Sequence, residues 1–272
     1  MGLFKSNYNK PGPGVPKNAP KKKGFSRFLE ILSRDLGNLV KLNILLQLCY
    51  LPAQVCFLLA FYNLISGQGQ NFILFGLLAL VASFPVGAAR TAESHLMGKI
   101  MRDEPGFLWH DFKKTFKENF VHQIVPGMLY ALILGSQVLA VVYYTAGASS
   151  ISVVWVAAFI ASVVLFSMAA PYFFMQAAYL ELGFGARLKN SFLLALGNAP
   201  RSLAGGLICL ALGVAQVLLF PYAVPVTLLI GYALPTLVNV MWVWPMLDKT
   251  FKIDETLKAR NQQSLDEALA EE

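Results

Sequence analysis

The sequence predicts an all-α membrane protein. Six transmembrane helices form three hairpins, and an amphipathic interfacial helix precedes each hairpin. Three observations lead there. Of 272 residues, 56% are hydrophobic and only 14% charged, against roughly a quarter charged in an ordinary soluble domain. Six apolar runs approach the ~20 residues needed to cross a bilayer. Charge is confined to alternate gaps between those runs, a sorting that a large soluble core would not produce.

The chain divides into a basic N-terminal arm (1–24), a helical membrane domain (25–250) and a short polar C-terminal tail (251–272). The first 24 residues hold six Lys and four Pro and have no apolar stretch of the kind that marks a secretory signal. Lys10-Pro-Gly-Pro-Gly-Val-Pro16 and Lys21-Lys-Lys23 read as a disordered arm lying against anionic lipid headgroups. Gly2 and Ser6 match the N-myristoylation pattern, but a chain with six spans is already anchored, so the match carries little weight.

The first interfacial segment carries Phe25, Phe28, Leu29, Leu32 and Leu36 at helical spacing, with Arg27, Glu30, Arg34 and Asp35 opposite. It leads to the first span, Leu42–Asn63. After Ile65-Ser-Gly-Gln-Gly-Gln-Asn71 comes the second, Phe72–Arg90. A charged gap follows, holding the second interfacial segment, where Leu108, Phe112, Phe116 and Phe120 form an i, i+4 ladder. The third and fourth spans, Ile124–Tyr144 and Ile151–Ala177, are joined by an uncharged turn. The third interfacial segment repeats the ladder with Phe184, Leu188 and Phe192 ahead of the spans Leu203–Phe220 and Tyr222–Pro245. Basic, aromatic-faced helices of this kind lie in the interface plane, so Phe112, Phe116, Phe184 and Phe192 are expected at the membrane surface. Phe112-Lys-Lys-Thr-Phe116 and Leu188-Lys-Asn-Ser-Phe192 align at an offset of 76, which suggests that the second and third units arose by duplication.

All 22 Lys and Arg fall in the tails, in the two long gaps or within a few residues of them, and none lies in the three short gaps. The positive-inside rule then puts both termini in the cytoplasm of a plasma-membrane protein. The same rule, with attraction to anionic lipid, accounts for the net charge of +7, and nucleic-acid binding is not expected.

Several segments resemble the YesL family of bacterial integral membrane proteins. They are Asn9-Lys-Pro-Gly-Pro-Gly-Val-Pro16, the stretch Phe28–Asn43, Arg102-Asp-Glu-Pro-Gly-Phe-Leu-Trp-His-Asp-Phe112 with Phe116-Lys-Glu-Asn-Phe120, and Leu188-Lys-Asn-Ser-Phe192. The resemblance runs in order over nearly the whole chain. It implies a plasma-membrane protein with an accessory part in carbohydrate uptake, alongside membrane transport components, and transfers no catalytic residue.

Chemistry-bearing residues are few. Cys49, Cys56 and Cys209 lie in apolar stretches without His neighbours and act as small hydrophobes. Glu118 and His122 share a helix face, but two ligands do not make a metal site. No catalytic, cofactor or metal site is expected. The candidate functional cluster is Arg90, Glu93, His95, Lys99 and Glu181. Arg90 and Glu93 can pair at i, i+3, which favours an anchor where the second span leaves the bilayer. The competing expectation is an inter-helix contact from Arg90 to Glu181. Lys41 and Asn43 read as unremarkable polar residues at the start of a span. Gln47, Gln54, Gln137, Gln176, Gln216 and Asn239 suit interhelical hydrogen bonding, Pro52, Pro85, Pro171 and Pro235 suit bends, and Gly205, Gly206 and Gly213 suit close packing.

These features favour a non-catalytic accessory or interaction protein. The second reading is a small solute transporter or channel, and the third a membrane-embedded enzyme. A transporter would carry a polar cavity near mid-membrane. An accessory protein would have a filled core, and an enzyme would set Glu93 or Glu181 against another titratable group across a cleft.

Overall fold

A computed structural model describes residues 22, 24–145, 152–219 and 221–270. Among them every regular element is helical: α1 (Gly24–Ile65), α2 (Gly69–Ala82), α3 (Val86–Arg102), α4 (Leu108–Thr145), α5 (Val153–Tyr179), α6 (Phe184–Gly197), α7 (Ala199–Leu218), α8 (Val224–Ile230), α9 (Ala233–Phe251) and α10 (Ile253–Ala270). α1, α4, α5 and α7 are each long and apolar enough to cross a membrane. The pairs α2 with α3 and α8 with α9 also qualify if each is one bent span, the bends being 43° and 52°. The basic arm lies outside the described residues apart from Lys22 and Gly24. The polar tail is helical as α10, held by Ile253, which is buried in the main core.

Two of the three interfacial segments are not separate helices. α1 runs unbroken for 42 residues and α4 for 38, about 63 and 57 Å at 1.5 Å per residue. A continuous rod cannot both lie in the interface and cross it. The cause is the lack of a breaker: no proline separates Leu36 from Leu42, and Pro126 is absorbed inside α4. Only α6 is separate, because Asn198 leaves helical geometry and Pro200 begins α7.

The bundle is organised around α3, of whose 17 residues 11 are buried. Its small side chains allow close approach. A Cβ on Gly87 would fall on the Gln123 carbonyl oxygen, and one on Gly127 on the Gly87 backbone, so α3 and α4 touch main chain to main chain. Gly98 lies under the Tyr179 hydroxyl in the same way. Against this surface pack Leu39, Leu42 and Leu46 of α1, Tyr172 and Met175 of α5, and Leu237, Val240 and Leu247 of α9. On α7, Gly206 abuts Ser167 and Gly205 abuts Trp242, whereas Gly213 faces open space. Two of the three expected close-packing glycines therefore serve that purpose.

Candidate functional site

The two bent helix pairs, α2 with α3 and α8 with α9, meet. α3 begins after Ser83-Phe84-Pro85, where Pro85 has no N–H to continue a helix and the Ser83 hydroxyl donates to the Leu80 carbonyl at 2.6 Å. α8 ends at Ile230, and α9 starts at Ala233. Such a break frees backbone polar groups, which are costly in an apolar interior unless paired.

Asn43, fully buried on α1, pairs them. Its Nδ2 donates to the carbonyls of Thr227 (3.0 Å) and Leu228 (2.8 Å), while its Oδ1 accepts from the N–H groups of Tyr232 (2.7 Å) and Ala233 (3.1 Å). Gln216 donates to the Gly231 carbonyl and accepts from the Thr227 hydroxyl. Asn43 thus clamps α1 to the break between α8 and α9, a role its neighbours in sequence give no sign of.

Arg90 sits at the same crossing. One Nη donates to Glu93 Oε2 at 2.8 Å and to the Thr236 hydroxyl at 2.9 Å, and the other donates to the Tyr130 hydroxyl at 2.9 Å. The guanidinium also lies 5.4 Å from the centroid of the Tyr130 ring, within cation–π range. The i, i+3 pair with Glu93 forms as expected. The inter-helix partners are Tyr130 and Thr236, not Glu181, which is exposed beyond the end of α5. Tyr130 lies six residues inside the third span and Thr236 nine from the end of the sixth, about 9 and 13 Å along a helix axis. Arg90 is therefore level with the interior of these apolar runs, because α3 continues to Arg102 and carries its charged end past them. Glu93 is 0% exposed, and its Oε1 has no hydrogen-bond partner.

The remaining cluster residues lie further along α3. His95 is half-buried, its ring stacked on Tyr179 at 5.4 Å and its Nδ1 without a hydrogen-bond partner. Lys99 forms a 2.7 Å ion pair with Asp111 of α4. The five candidates are thus not one site: Arg90 and Glu93 share one centre, His95 and Lys99 another, and Glu181 neither.

Beyond Lys99 the Arg102–Asp111 stretch forms an ionic lock. Asp103 ends α3 in the left-handed region (φ 61°), a conformation Asp tolerates better than most residues. Its carboxylate accepts from Arg27 at 2.6 Å and also from Arg34, both on α1. Arg102 grips Glu104 through two 2.7 Å hydrogen bonds and lies over the rings of Tyr179 and Trp244. Hydrogen bonding to Arg102 holds the Glu104 carboxyl below its ordinary range, whereas burial beside Asp248 raises Asp254.

The aromatic ladders divide. Phe112 is 6% exposed and packs in the core, with Phe116 stacked on it at 5.9 Å and half-buried. Its expected place at the membrane surface is corrected, because α4 turns this face toward α3. Phe184 and Phe192 on α6 are exposed. Glu118 and His122 are exposed, and the described residues contain no group of three His, Cys, Asp or Glu placed to hold a metal ion.

No protein-family model matches the chain, and no curated protein or solved structure matches it significantly.

Proposed function

We propose that this chain is a non-catalytic accessory or interaction protein of a bacterial plasma membrane, similar to the YesL family and supporting carbohydrate uptake. The observation that carries this reading is how the ionisable groups within the helices are used. Arg90 ties α3 to α4 and α9, Lys99 ties α3 to α4, and Arg27 and Arg34 tie α1 to Asp103. Glu93 meets the guanidinium of its own helix, not a second acid or base across a cleft. Charges used this way hold a scaffold in shape and leave its outer surfaces for partners.

In this reading the helices form six spans with both termini cytoplasmic, and the Lys- and Arg-bearing ends lie against anionic headgroups. Phe184 and Phe192 sit at headgroup level. The cytoplasmic ends of α1, α4, α6 and α10 offer the docking surface for a membrane transport component. Crosslinking in native membranes followed by purification should recover a component of a sugar-uptake system. Sugar uptake by liposomes containing this protein alone would overturn the accessory role. Single cysteines at Gln68, Ala148 and Ala223, in a cysteine-free background, should react with an impermeant thiol reagent applied to intact cells. Those at Lys22, Lys114 and Arg260 should not, and labelling of the second set would reverse the orientation.

One observation favours the transporter reading. Broken helices facing each other mark the binding sites of many secondary transporters, and here the α2–α3 and α8–α9 breaks meet through Arg90 and Thr236. The cavity beside them is walled mainly by apolar side chains, which does not suit a sugar. The liposome assay separates the two readings.

A further inference from the structure

α1, α2 and α4 enclose a cavity of about 570 Å³, within the range of sites that hold small organic ligands. Phe57, Phe61, Leu77, Leu80, Leu134 and Val138 form much of its wall. Leu77, Leu134 and Val138 are themselves exposed, so the cavity opens through the side of the bundle, where lipid chains would lie. Along α1 its lining runs from Tyr50 to Phe61, about 16 Å at 1.5 Å per residue. That is about half of a ~30 Å hydrocarbon layer.

One end is polar, formed by Tyr50, Gln54, Arg90, Tyr130 and Tyr232. Tyr50 is 7% exposed, and its hydroxyl has no hydrogen-bond partner. Buried hydroxyls are normally paired, so this one lacks an acceptor that a ligand would supply. The Tyr232 hydroxyl accepts from Gln54 and the Tyr130 hydroxyl accepts from Arg90, which leaves both phenolic protons free to donate. Arg90 is already balanced by Glu93 at 2.8 Å. A second anion would leave an unpaired charge in an apolar site, at a heavy desolvation cost. A neutral head rich in acceptors avoids that cost.

We propose that this cavity binds a neutral single-chain lipid, its carbonyl-bearing head at the Tyr50 hydroxyl and its hydrocarbon chain between α1, α2 and α4. The inference goes beyond the accessory role and does not rest on it.

The test uses the full-length protein in detergent and a monoacylglycerol carrying a diazirine on its chain, with crosslinks mapped by mass spectrometry. Crosslinks should fall within 53–61, 73–80 and 131–139, and excess unlabelled monoolein should abolish them, while oleate competes poorly. Gly76 lines the cavity, and a Cβ added there meets nothing within 4 Å. Gly76→Leu should therefore fill the space and lose the crosslinks without lowering the melting temperature. Tyr50→Phe removes one donor and should weaken binding about three- to ten-fold, without loss of stability because that hydroxyl bonds nothing in the protein. Crosslinks spread over the outer faces of α5 and α7, insensitive to monoolein, would mean bulk lipid alone and overturn the proposal. Stronger competition by oleate would do the same, as would wild-type labelling of Gly76→Leu. If Gly76→Leu does not fold, Tyr50→Phe decides, and wild-type affinity there refutes the proposal.

Discussion

Replacing Asn43 with Leu, similar in volume but without hydrogen-bonding groups, tests whether one side chain holds the break between α8 and α9. Four hydrogen bonds disappear. The Thr227 carbonyl keeps a second partner, the Gly231 N–H at 3.1 Å. The Leu228 carbonyl and the N–H groups of Tyr232 and Ala233 lose the partner that Asn43 supplies. At about 1 kcal/mol each, the lower end for an unsatisfied buried group, the loss is about 3 kcal/mol. For a protein of this size that corresponds to a drop in apparent melting temperature of roughly 6–12 °C, measured by fluorescence-detected size exclusion after heating in detergent. Asn43→Asp, when ionised, sets an unpaired buried charge against the Thr227 and Leu228 carbonyls and should fall at least as far as Leu. Asn63→Ala is the control, since the Asn63 side chain bonds the Leu59 carbonyl one turn back in its own helix, and should shift little. A drop of less than about 2 °C for Asn43→Leu, under 1 kcal/mol on the same scale, would show that the break is held by other contacts and refute the clamp.

Arg90→Lys cannot reproduce the fork to Glu93, Thr236 and Tyr130 and should cost about 2 kcal/mol in the same thermal assay, while Glu181→Gln is silent; the reverse pattern would restore Glu181 as the partner. Gly87→Ala places a methyl on the Gln123 carbonyl oxygen and should abolish recovery of folded protein, whereas Gly213→Ala, in open space, should leave it unchanged or gain a few tenths of a kcal/mol from helix propensity; equal yields for both would mean that α3 and α4 separate easily. Glu104 has a folded-state pKa lowered by Arg102, so its contribution is present above the unfolded value and is lost as pH falls through the folded one. Melting temperature should hold near neutrality and decline as pH drops below the reference value of 4.5, and Glu104→Gln should flatten that decline; identical acid profiles would exclude the lock as its source.

Four of the six apolar runs read from the sequence fall largely within single helices, α1, α4, α5 and α7, because lipid and protein core both select for apolar length, and length is visible locally. What lay outside reach depended on distance along the chain. Asn43 is a polar residue at a span start until Thr227 and Tyr232, more than 180 positions away, are brought beside it. Arg90 sits level with Tyr130 and Thr236 only because α3, weakly apolar and rich in small residues, became the centre of the bundle. A hydrophobicity scan treats such a segment as the frayed end of a span. The Phe112 ladder shows a third limit: a face that packs on protein and a face that packs on lipid have the same i, i+4 pattern. The Arg102–Asp111 stretch shows a fourth limit: its charges are visible in the sequence, but that Asp103 meets Arg27 and Arg34 about 70 positions earlier, while Arg102 holds Glu104, appears only in the fold.

The Asn43 clamp also sets a timetable for biosynthesis. Asn43 enters the bilayer with the first span, and its last partner, Ala233, lies 190 positions later. At ribosomal rates of about 5–20 residues per second, the side chain waits on the order of 10–40 s for the groups it will bind. Throughout that interval the nascent chain holds an unpaired amide that water, the insertion machinery or another chain must satisfy. A ribosome that stalls before α9 leaves the amide exposed within an otherwise apolar helix. A quality-control protease that recognises polar groups in the membrane would thereby have a means of telling an unfinished chain from a finished one.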